Sequence, residues 1–190
     1  MAVYKILFAG PVGSGKTTAI QSLSDIEVVR TEAGASDHVR NLKATTTVAM
    51  DFGLMKLASG DQVRLYGTPG QKRFDFMWDI LAENALGLVL LIDASAPAPL
   101  DDLRTYLHEF RALIDRSAVV VGVTHAEAGE WDTRQRIGDE MTRLGIVPTV
   151  MHADARERAH MAALVQSLIF AIDPLAGADA GAPELQDPIR

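Results

Sequence analysis

Hydrophobic and polar positions follow two different periods along this chain. Nearly continuous apolar runs at residues 3–9, 86–93 and 118–123 predict strands that are buried on both faces of a sheet. Around Val63 and Leu65 apolar and polar residues alternate, which predicts a strand with one exposed face.

Between these runs, apolar residues recur at the spacing of one helix face. The three helical patterns are Leu103, Tyr106, Leu107, Phe110 and Ile114; Ile137, Met141 and Leu144; and Met161, Leu164, Val165, Leu168 and Ile169. Asp132, with Gln135 three residues later, marks the start of the second pattern. Strands that alternate with helices predict an α/β fold with a mostly parallel sheet and helices on both faces.

Two segments show neither period. Residues 25–46 are polar and irregular, and we expect a functional loop there because long structureless loops are uncommon inside domains. Residues 174–190 are rich in Ala, Gly, Asp and Pro, which predicts a disordered tail. The expected domain therefore spans residues 1–173.

Composition narrows the class of protein further. The chain has 190 residues, of which 48% are hydrophobic, and this suits one globular domain. Its net charge of −7 argues against a nucleic-acid-binding surface, and it has no cysteine. The opening Met1-Ala2-Val3 predicts neither a signal peptide nor a myristoylation site, and no apolar run reaches the roughly 18 residues of a membrane span. We therefore expect a cytoplasmic protein with no direct membrane anchor.

Residues 10–17, Gly-Pro-Val-Gly-Ser-Gly-Lys-Thr, match the phosphate-binding pattern G-x-x-x-x-G-K-[ST]. They lie between a predicted strand and a predicted helix, as the pattern requires. Glycines let the backbone approach phosphate closely, the Lys16 ammonium adds a charge, and the Thr17 hydroxyl is placed to bind Mg²⁺. The predicted phosphate-binding residues are Gly10, Pro11, Val12, Gly13, Ser14, Gly15, Lys16, Thr17 and Thr18.

Residues 66–71, Tyr-Gly-Thr-Pro-Gly-Gln, follow the strand that contains Leu65. This segment resembles the second switch of Ras-like small GTPases, whose usual form is Asp-x-x-Gly-Gln. The resemblance implies that the Gly70 N–H contacts the γ-phosphate and that Gln71 orients the attacking water. Gln71, Gly70 and Lys16 are therefore the predicted catalytic residues.

A run of threonines precedes Asp51 and Phe52. It resembles the end of the first switch of the same family, where one threonine closes onto Mg²⁺ and the γ-phosphate. The resemblance favours Thr47 as this metal ligand. Thr45 and Thr46 remain alternatives, because only Asp51 and Phe52 fix the alignment.

Two further segments resemble the guanine-binding motifs of Ras-like proteins. Residues 124–127, Thr-His-Ala-Glu, stand where that family has Asn-Lys-x-Asp. The resemblance implies base contacts by Thr124, His125 and Glu127, with the carboxylate accepting hydrogen bonds from the guanine ring.

The second of these segments, residues 154–156, resembles the Ser-Ala-Lys motif. It adds Asp154, Ala155 and Arg156 to the predicted nucleotide site. The resemblance implies that the Ala155 N–H bonds the guanine O6. Adenine carries a donor at that position and would leave this N–H unpaired, which favours GTP.

Over residues 3–172 the chain is similar to bacterial small GTPases of the MglA-like group. This resemblance implies a Ras-like three-layer P-loop NTPase fold with six strands, the second antiparallel, and five helices. It also implies a molecular switch that binds GTP or GDP with Mg²⁺ and hydrolyses GTP. The family resemblance further implies a Roadblock-fold regulatory protein and effectors as partners.

Two positions near the phosphates depart from the Ras-like pattern. Gly67 replaces the aspartate that usually holds a Mg²⁺-bound water, and Thr68 is the candidate substitute. Val12 replaces a glycine and crowds the γ-phosphate, so we expect slow hydrolysis. Arg40, from the irregular loop, is a candidate for an arginine supplied in cis.

Two other functions stay open. A P-loop kinase or ATPase would use Asp93, which ends an apolar run as in a Walker B strand. A nearly non-hydrolysing nucleotide-dependent interaction module would account for Val12 and Gly67. Nucleotide preference and single-turnover hydrolysis would separate these functions.

The segment after Gln71 is the predicted partner surface. Phe76 lies off the apolar helix face and is expected to be exposed, which suits a partner contact. We expect partners to bind residues 71–81 and 25–46, because the γ-phosphate would order these segments. The helix face expected to be buried consists of Phe74, Met77, Trp78 and Leu81.

Overall fold

The computed structural model describes residues 2–33, 48–70, 76–126 and 131–172. The strands are β1 (Val3–Ala9), β2 (Val29–Ala33), β3 (Val48–Lys56), β4 (Gln62–Gly67), β5 (Gly87–Asp93), β6 (Val119–Thr124) and β7 (Val150–His152). The helices are α1 (Lys16–Leu23), α2 (Phe76–Ala82), α3 (Pro99–Glu109), α4 (Arg111–Arg116), α5 (Trp131–Arg143) and α6 (Arg158–Ile172). The predicted tail at residues 174–190 lies outside the described residues, and the domain limit at residue 173 stays a prediction.

The strands form one mixed sheet in the order β2-β3-β4-β1-β5-β6-β7. Strands β4, β1, β5, β6 and β7 run parallel, whereas β3 is antiparallel to both of its neighbours. The predicted fold class, an α/β P-loop NTPase fold of the Ras-like kind with a mostly parallel sheet, is confirmed.

Strand β2 corrects part of the prediction for residues 25–46, which we expected to be a loop, and residues 34–46 lie outside the described residues. It lies at the edge of the sheet and adds a seventh strand to the six that the family resemblance implied. Backbone pairing holds it there, from Val29 opposite Phe52 to Ala33 opposite Val48. A short edge strand is held by ladder hydrogen bonds to one neighbour, so its sequence need not show the periodicity of a buried strand.

The apolar stripe that ends at Ile114 predicts one helix, but the structure has two. Helices α3 and α4 meet at Phe110, whose φ of −92° and ψ of 14° interrupt the regular helix. The Phe110 N–H still donates to Tyr106 O at 3.0 Å, so the turn keeps the stripe on one face. The described residues therefore contain six helices, one more than the family resemblance implied.

Side chains of the central strands alternate between two cores, one on each face of the sheet. In β5, Leu88, Leu90 and Ile92 pack in the core that contains α2, α3, α4 and α5. Val89 and Leu91 pack in the other core, with α1 and α6. All five side chains are fully buried, as the continuous apolar run predicted. The helices thus form layers on both sides of the sheet.

The carboxyl ends of the parallel strands all lie at the same end of the sheet, and the loops that follow these strands gather there. Strand β1 leads into residues 10–15, β4 leads into residues 68–70, and β7 leads into the loop around Ala155. Strand β1 also lies between β4 and β5, so the strand order changes direction beside it. In open α/β sheets, ligands bind outside the carboxyl ends of the strands at such a point.

In the described part of the chain, no helix is both long enough and apolar enough to cross a bilayer. The same residues contain no group of three or more His, Cys, Asp or Glu side chains arranged to hold a metal ion.

A glycine in β6 sets how closely α6 packs on the sheet. A β-carbon at Gly122 would lie 2.8 Å from Leu164 Cδ1 and 2.8 Å from Leu91 Cδ2, which are both in the core. We expect Gly122→Ala to lower the free energy of unfolding by about 1–3 kcal/mol, because overpacking forces neighbouring side chains to shift. Urea unfolding measures this change.

Gly138→Ala is the matched control, since Gly138 lies in α5 and its nearest contact would be Pro148 Cβ at 3.9 Å. We expect this variant to be more stable than the wild type by about 0.4–1 kcal/mol, because alanine favours the helix. Equal effects of the two substitutions would contradict the close packing of α6 on β6.

Candidate functional site

The loop between β1 and α1, residues 10–15, has a backbone that only glycine adopts readily. Gly10, Gly13 and Gly15 have φ angles of 143°, 85° and 96°. A β-carbon at Gly10 would lie 2.2 Å from Leu91 O, so that position also has no room for a side chain. Gly15 is the N-cap of α1. The loop therefore adjoins a helix N-terminus, whose free N–H groups suit an anion.

Lys16 is a buried cation at this loop. Its Nζ donates hydrogen bonds to Gly10 O at 2.8 Å and to Pro11 O at 2.7 Å. Burial lowers the pKa of Lys16 to about 8, and the nearby carboxylate of Asp51 opposes this shift. The ammonium is thus held over the loop, where it would stabilise a bound phosphate.

Gly70 lies directly against the same loop. A β-carbon on Gly70 would come within 2.7 Å of Val12 N and 2.9 Å of Lys16 Nζ. No larger residue fits this position without displacing the loop backbone. The structure therefore brings the phosphate-binding loop and residue Gly70 together. In the sequence, only the family resemblance suggested that these two segments are close.

Asp51 contributes a carboxylate that the sequence analysis did not anticipate in this role. Its Oδ2 accepts a short hydrogen bond from the Thr17 hydroxyl. Asp51 stands opposite Gly67 in the antiparallel pairing of β3 with β4. A β-carbon on Gly67 would lie 3.2 Å from Asp51 Cβ and 3.5 Å from its Oδ2. A carboxylate from the neighbouring strand thus lies beside the position where the Ras-like pattern has its aspartate.

Two hydroxyl groups beside the loop are buried without a hydrogen-bond partner among the described residues. They are Ser14 Oγ and Thr68 Oγ1. Buried polar atoms without partners are rare in folded proteins, so these two hydroxyl groups are candidates to contact a ligand or water. Thr68 was the predicted substitute for the aspartate absent at Gly67.

Thr124 links the end of β6 to the phosphate-binding loop. Its buried hydroxyl lies 3.0 Å from Ser14 O and 3.3 Å from Ile92 O, and both carbonyls are acceptors. One hydroxyl proton serves one of these acceptors at a time. The Thr124 side chain therefore contacts backbone carbonyls and helps to position the phosphate-binding loop.

His125 follows Thr124 with a positive φ of 54°, and its side chain lies near Asp93. His125 Nδ1 lies 3.4 Å from Asp93 Oδ1, and the same oxygen accepts hydrogen bonds from the Ser95 N–H and hydroxyl. The carboxylate of Asp93 is therefore engaged at the loop after β5. The carboxylate that contacts Thr17 is that of Asp51.

The loop after β7 adjoins the phosphate-binding loop from the other side. Ala155 Cβ lies 2.9 Å from the point where a β-carbon on Gly15 would stand. Asp154 and Arg156 form an ion pair at 2.7 Å, and the Arg156 side chain and N–H hold the pKa of Asp154 well below its usual range. The Asp154 N–H donates to His160 Nδ1 at 3.2 Å, which fixes the loop on α6.

Some of the remaining predicted residues are described by the structure and others are not. Thr18 is half-buried in α1, and Val12 points outward with 67% of its surface exposed. The predicted residues Gln71, Thr47 with its alternatives Thr45 and Thr46, Glu127 and Arg40 lie outside the described residues.

Comparison with known families gives one match that spans more than half of the chain. The family described as a conserved hypothetical ATP binding protein matches residues 27–173. The matched region starts after the phosphate-binding loop, so loop and family match are separate observations. Together they indicate a nucleotide-binding P-loop protein.

Three curated relatives are distantly similar. An uncharacterized protein of Methanocaldococcus jannaschii is 26% identical over 133 residues, which cover 69% of this chain and 75% of the relative. The intraflagellar transport protein 22 homolog of Xenopus tropicalis is 24% identical over 143 residues, 70% of each chain. The Ras-related protein RABA1c of Arabidopsis thaliana is 22% identical over 122 residues, 63% of this chain and 51% of the relative. The chain is thus a distant homologue of Ras-related proteins, and the narrower MglA-like resemblance stays a prediction.

Proposed function

We propose that this chain, which belongs to the family of conserved hypothetical ATP-binding proteins, is a small switch protein that binds GTP or GDP with Mg²⁺ and hydrolyses GTP slowly. The observation that carries the proposal is the approach of Gly70 to Val12 N and Lys16 Nζ. That contact supports the proposal, because a terminal phosphate bound at the loop would then lie next to the segment that resembles the second switch. The alternative, a P-loop kinase or ATPase, leaves this contact unexplained.

The chain's own residues bind and position the triphosphate in this proposal. The backbone of residues 10–15 and the N-terminus of α1 bind the phosphates, and Lys16 neutralises part of their charge. The Gly70 N–H and Gln71 complete the site, with Gln71 orienting the attacking water. Val12 is exposed at the rim of the loop and crowds the γ-phosphate, which favours slow hydrolysis.

Oxygen ligands suit Mg²⁺, and the described residues offer two side by side, the Thr17 hydroxyl and the Asp51 carboxylate. The buried and unpartnered Thr68 Oγ1 adds a group that a metal-bound water would satisfy. The residues present therefore fit Mg²⁺, with Thr47 as the proposed ligand from the first switch. The ion would neutralise phosphate charge during hydrolysis.

Guanine is the proposed base because the Ala155 loop lies against Gly15, next to the phosphates. A backbone N–H there pairs with the guanine O6 and has no partner on adenine. His125 and Glu127 are the proposed residues that contact the rest of the guanine base. The family description favours ATP instead, so ATP binding is the second candidate function.

For partners, the proposal follows the MglA-like resemblance. A Roadblock-fold regulatory protein and effectors would bind the second switch and α2, and the protein would act in the cytoplasm. On α2, Phe76 and Ile80 lie four residues apart and are 48% and 53% exposed, as expected for Phe76. Trp78 and Leu81 are buried, as their helix spacing predicted, whereas Phe74 lies outside the described residues.

Displacement of a fluorescent guanine nucleotide tests the proposed function. We expect GTP to displace it at a roughly 5- to 150-fold lower concentration than ATP, since one unpaired buried donor costs about 1–3 kcal/mol. Lys16→Ala should abolish binding, whereas Lys56→Ala, at an exposed position on β3, should leave it unchanged.

Two results would decide against parts of this proposal. Tighter binding of ATP than of GTP would make the chain an ATP-binding protein. GTP binding without measurable single-turnover hydrolysis would leave a nucleotide-dependent interaction module.

Asp51→Asn tests the proposed metal site. In Mg²⁺ we expect the variant to release guanine nucleotide roughly 10- to 100-fold faster than the wild type, because losing a carboxylate at a metal site typically weakens metal binding by about that factor. In EDTA the two proteins should release it at similar rates. Asp115→Asn, on the exposed surface of α4, is the matched control. Equal release rates for wild type and Asp51→Asn in Mg²⁺ would remove Asp51 from the metal site.

A further inference from the structure

Three aromatic rings pack together behind the segment that ends at Gly70. Trp78 from α2 stacks on Tyr106 from α3 with ring centroids 5.0 Å apart, and on Phe110 at 5.5 Å. All three side chains are almost completely buried in the core beside α2 and α3. The rings therefore form a rigid support whose position is set by two helices and the sheet.

Two of these rings carry a polar group, and each group donates a hydrogen bond to one of two consecutive backbone carbonyls. Trp78 Nε1–H donates to Pro69 O at 3.1 Å, and the Tyr106 hydroxyl donates to Gly70 O at 3.3 Å. Buried Trp and Tyr usually need such a partner, so these contacts fix the two peptide groups. Phe110 packs in the same stack and has no polar side-chain atom.

The opposite side of the same backbone faces the phosphate-binding loop. Thr68 N–H donates to Phe8 O at 2.9 Å, which anchors the start of the segment to β1. Gly70 then approaches Val12 N and Lys16 Nζ closely enough that no β-carbon fits between them. The segment is therefore held between the aromatic support on one side and the loop on the other.

We infer that Tyr106 and Trp78 are positioning residues that hold the Pro69 and Gly70 peptide groups ready for a terminal phosphate. The inference rests on the proposed function, because it requires a nucleotide whose γ-phosphate meets the Gly70 N–H. Neither side chain touches the nucleotide. They act through Gly70, and their hydrogen bonds select the triphosphate over the diphosphate.

The Tyr106 hydroxyl is suited to this role over the whole physiological range of pH. Burial, with a smaller contribution from Asp102, raises the pKa of Tyr106 above its usual value. The group therefore stays protonated and remains a donor. Phenylalanine at the same position would fill the same space and remove only the donor.

Affinities for GDP and for a non-hydrolysable GTP analogue, measured with the full chain, test the inference. We expect Tyr106→Phe to weaken binding of the GTP analogue relative to GDP by roughly 2- to 10-fold, the usual worth of one hydrogen bond. GDP affinity itself should stay within about twofold of wild type, since a diphosphate does not reach Gly70. Trp78→Phe should shift the ratio in the same direction.

Phe110→Leu is the matched control, since it disturbs the same aromatic stack and leaves both hydrogen bonds in place. It should lower the free energy of unfolding and leave the ratio of the two affinities unchanged. A ratio that moves as far in this variant as in Tyr106→Phe would show that packing alone matters and would overturn the inference.

A spectroscopic measurement gives a second readout. The chain contains two tryptophans, Trp78 and Trp131, so Trp131→Phe leaves Trp78 as the single emitter. We expect its emission to change when GDP is replaced by the GTP analogue, and the change to shrink after Tyr106→Phe. An unaltered ratio and an unaltered emission change in Tyr106→Phe would overturn the positioning role while GTP binding stands. Failure of the wild type to bind either nucleotide would instead remove the proposed function.

Discussion

Close approach of neighbouring atoms to glycine backbone near the end of β1 is the constraint on which the site depends. Gly10 lies against the carbonyl of Leu91, Gly15 lies against Ala155, and Gly70 lies against Val12. Each contact excludes a β-carbon on the glycine, so the loops after β1, β4 and β7 approach one another closely. A phosphate-binding loop needs this arrangement, since its ligands are peptide N–H groups.

Charge at the site is arranged around this backbone. Lys16 is buried and held by two carbonyls, burial lowers its pKa, and the negative charge of Asp51 opposes that shift. Asp51 also binds the Thr17 hydroxyl, so one carboxylate serves both the cation and the proposed metal ligand. In the proposed metal site, β3 would therefore supply the carboxylate that the Ras-like motif has at the position of Gly67 in β4.

Periodicity in the sequence predicted most of the fold, because buried strands and amphipathic helices carry a strong pattern. The strands at Val3–Ala9 and Gly87–Asp93 match their apolar runs closely, and Met161 and Leu164 are buried on α6 as expected. Strand β2 escaped prediction because edge pairing with β3 needs no apolar pattern. The break at Phe110 escaped because it preserves the helix face.

The role of Asp51 was the main feature of the site that motif reasoning missed. Matching a motif compares each position with its counterpart in the family, so it showed only that the aspartate is absent at Gly67. The sequence signal for Asp51 was the turn at Ser59-Gly60-Asp61, because a hairpin turn sets which residues of its two strands lie opposite each other. A hairpin around it pairs Lys56 with Gln62, and the same register brings Asp51 opposite Gly67.

Hydrogen exchange of the protein loaded with GDP or with a non-hydrolysable GTP analogue tests the central claim most directly. If the backbone at Gly70 and the start of β3 respond to a terminal phosphate, amides in residues 68–70 and 48–51 should exchange more slowly with the analogue bound. Amides of α5, which lies away from the loop, should exchange equally in both states. Identical exchange in residues 68–70 and 48–51 with the two nucleotides would contradict a nucleotide-dependent switch.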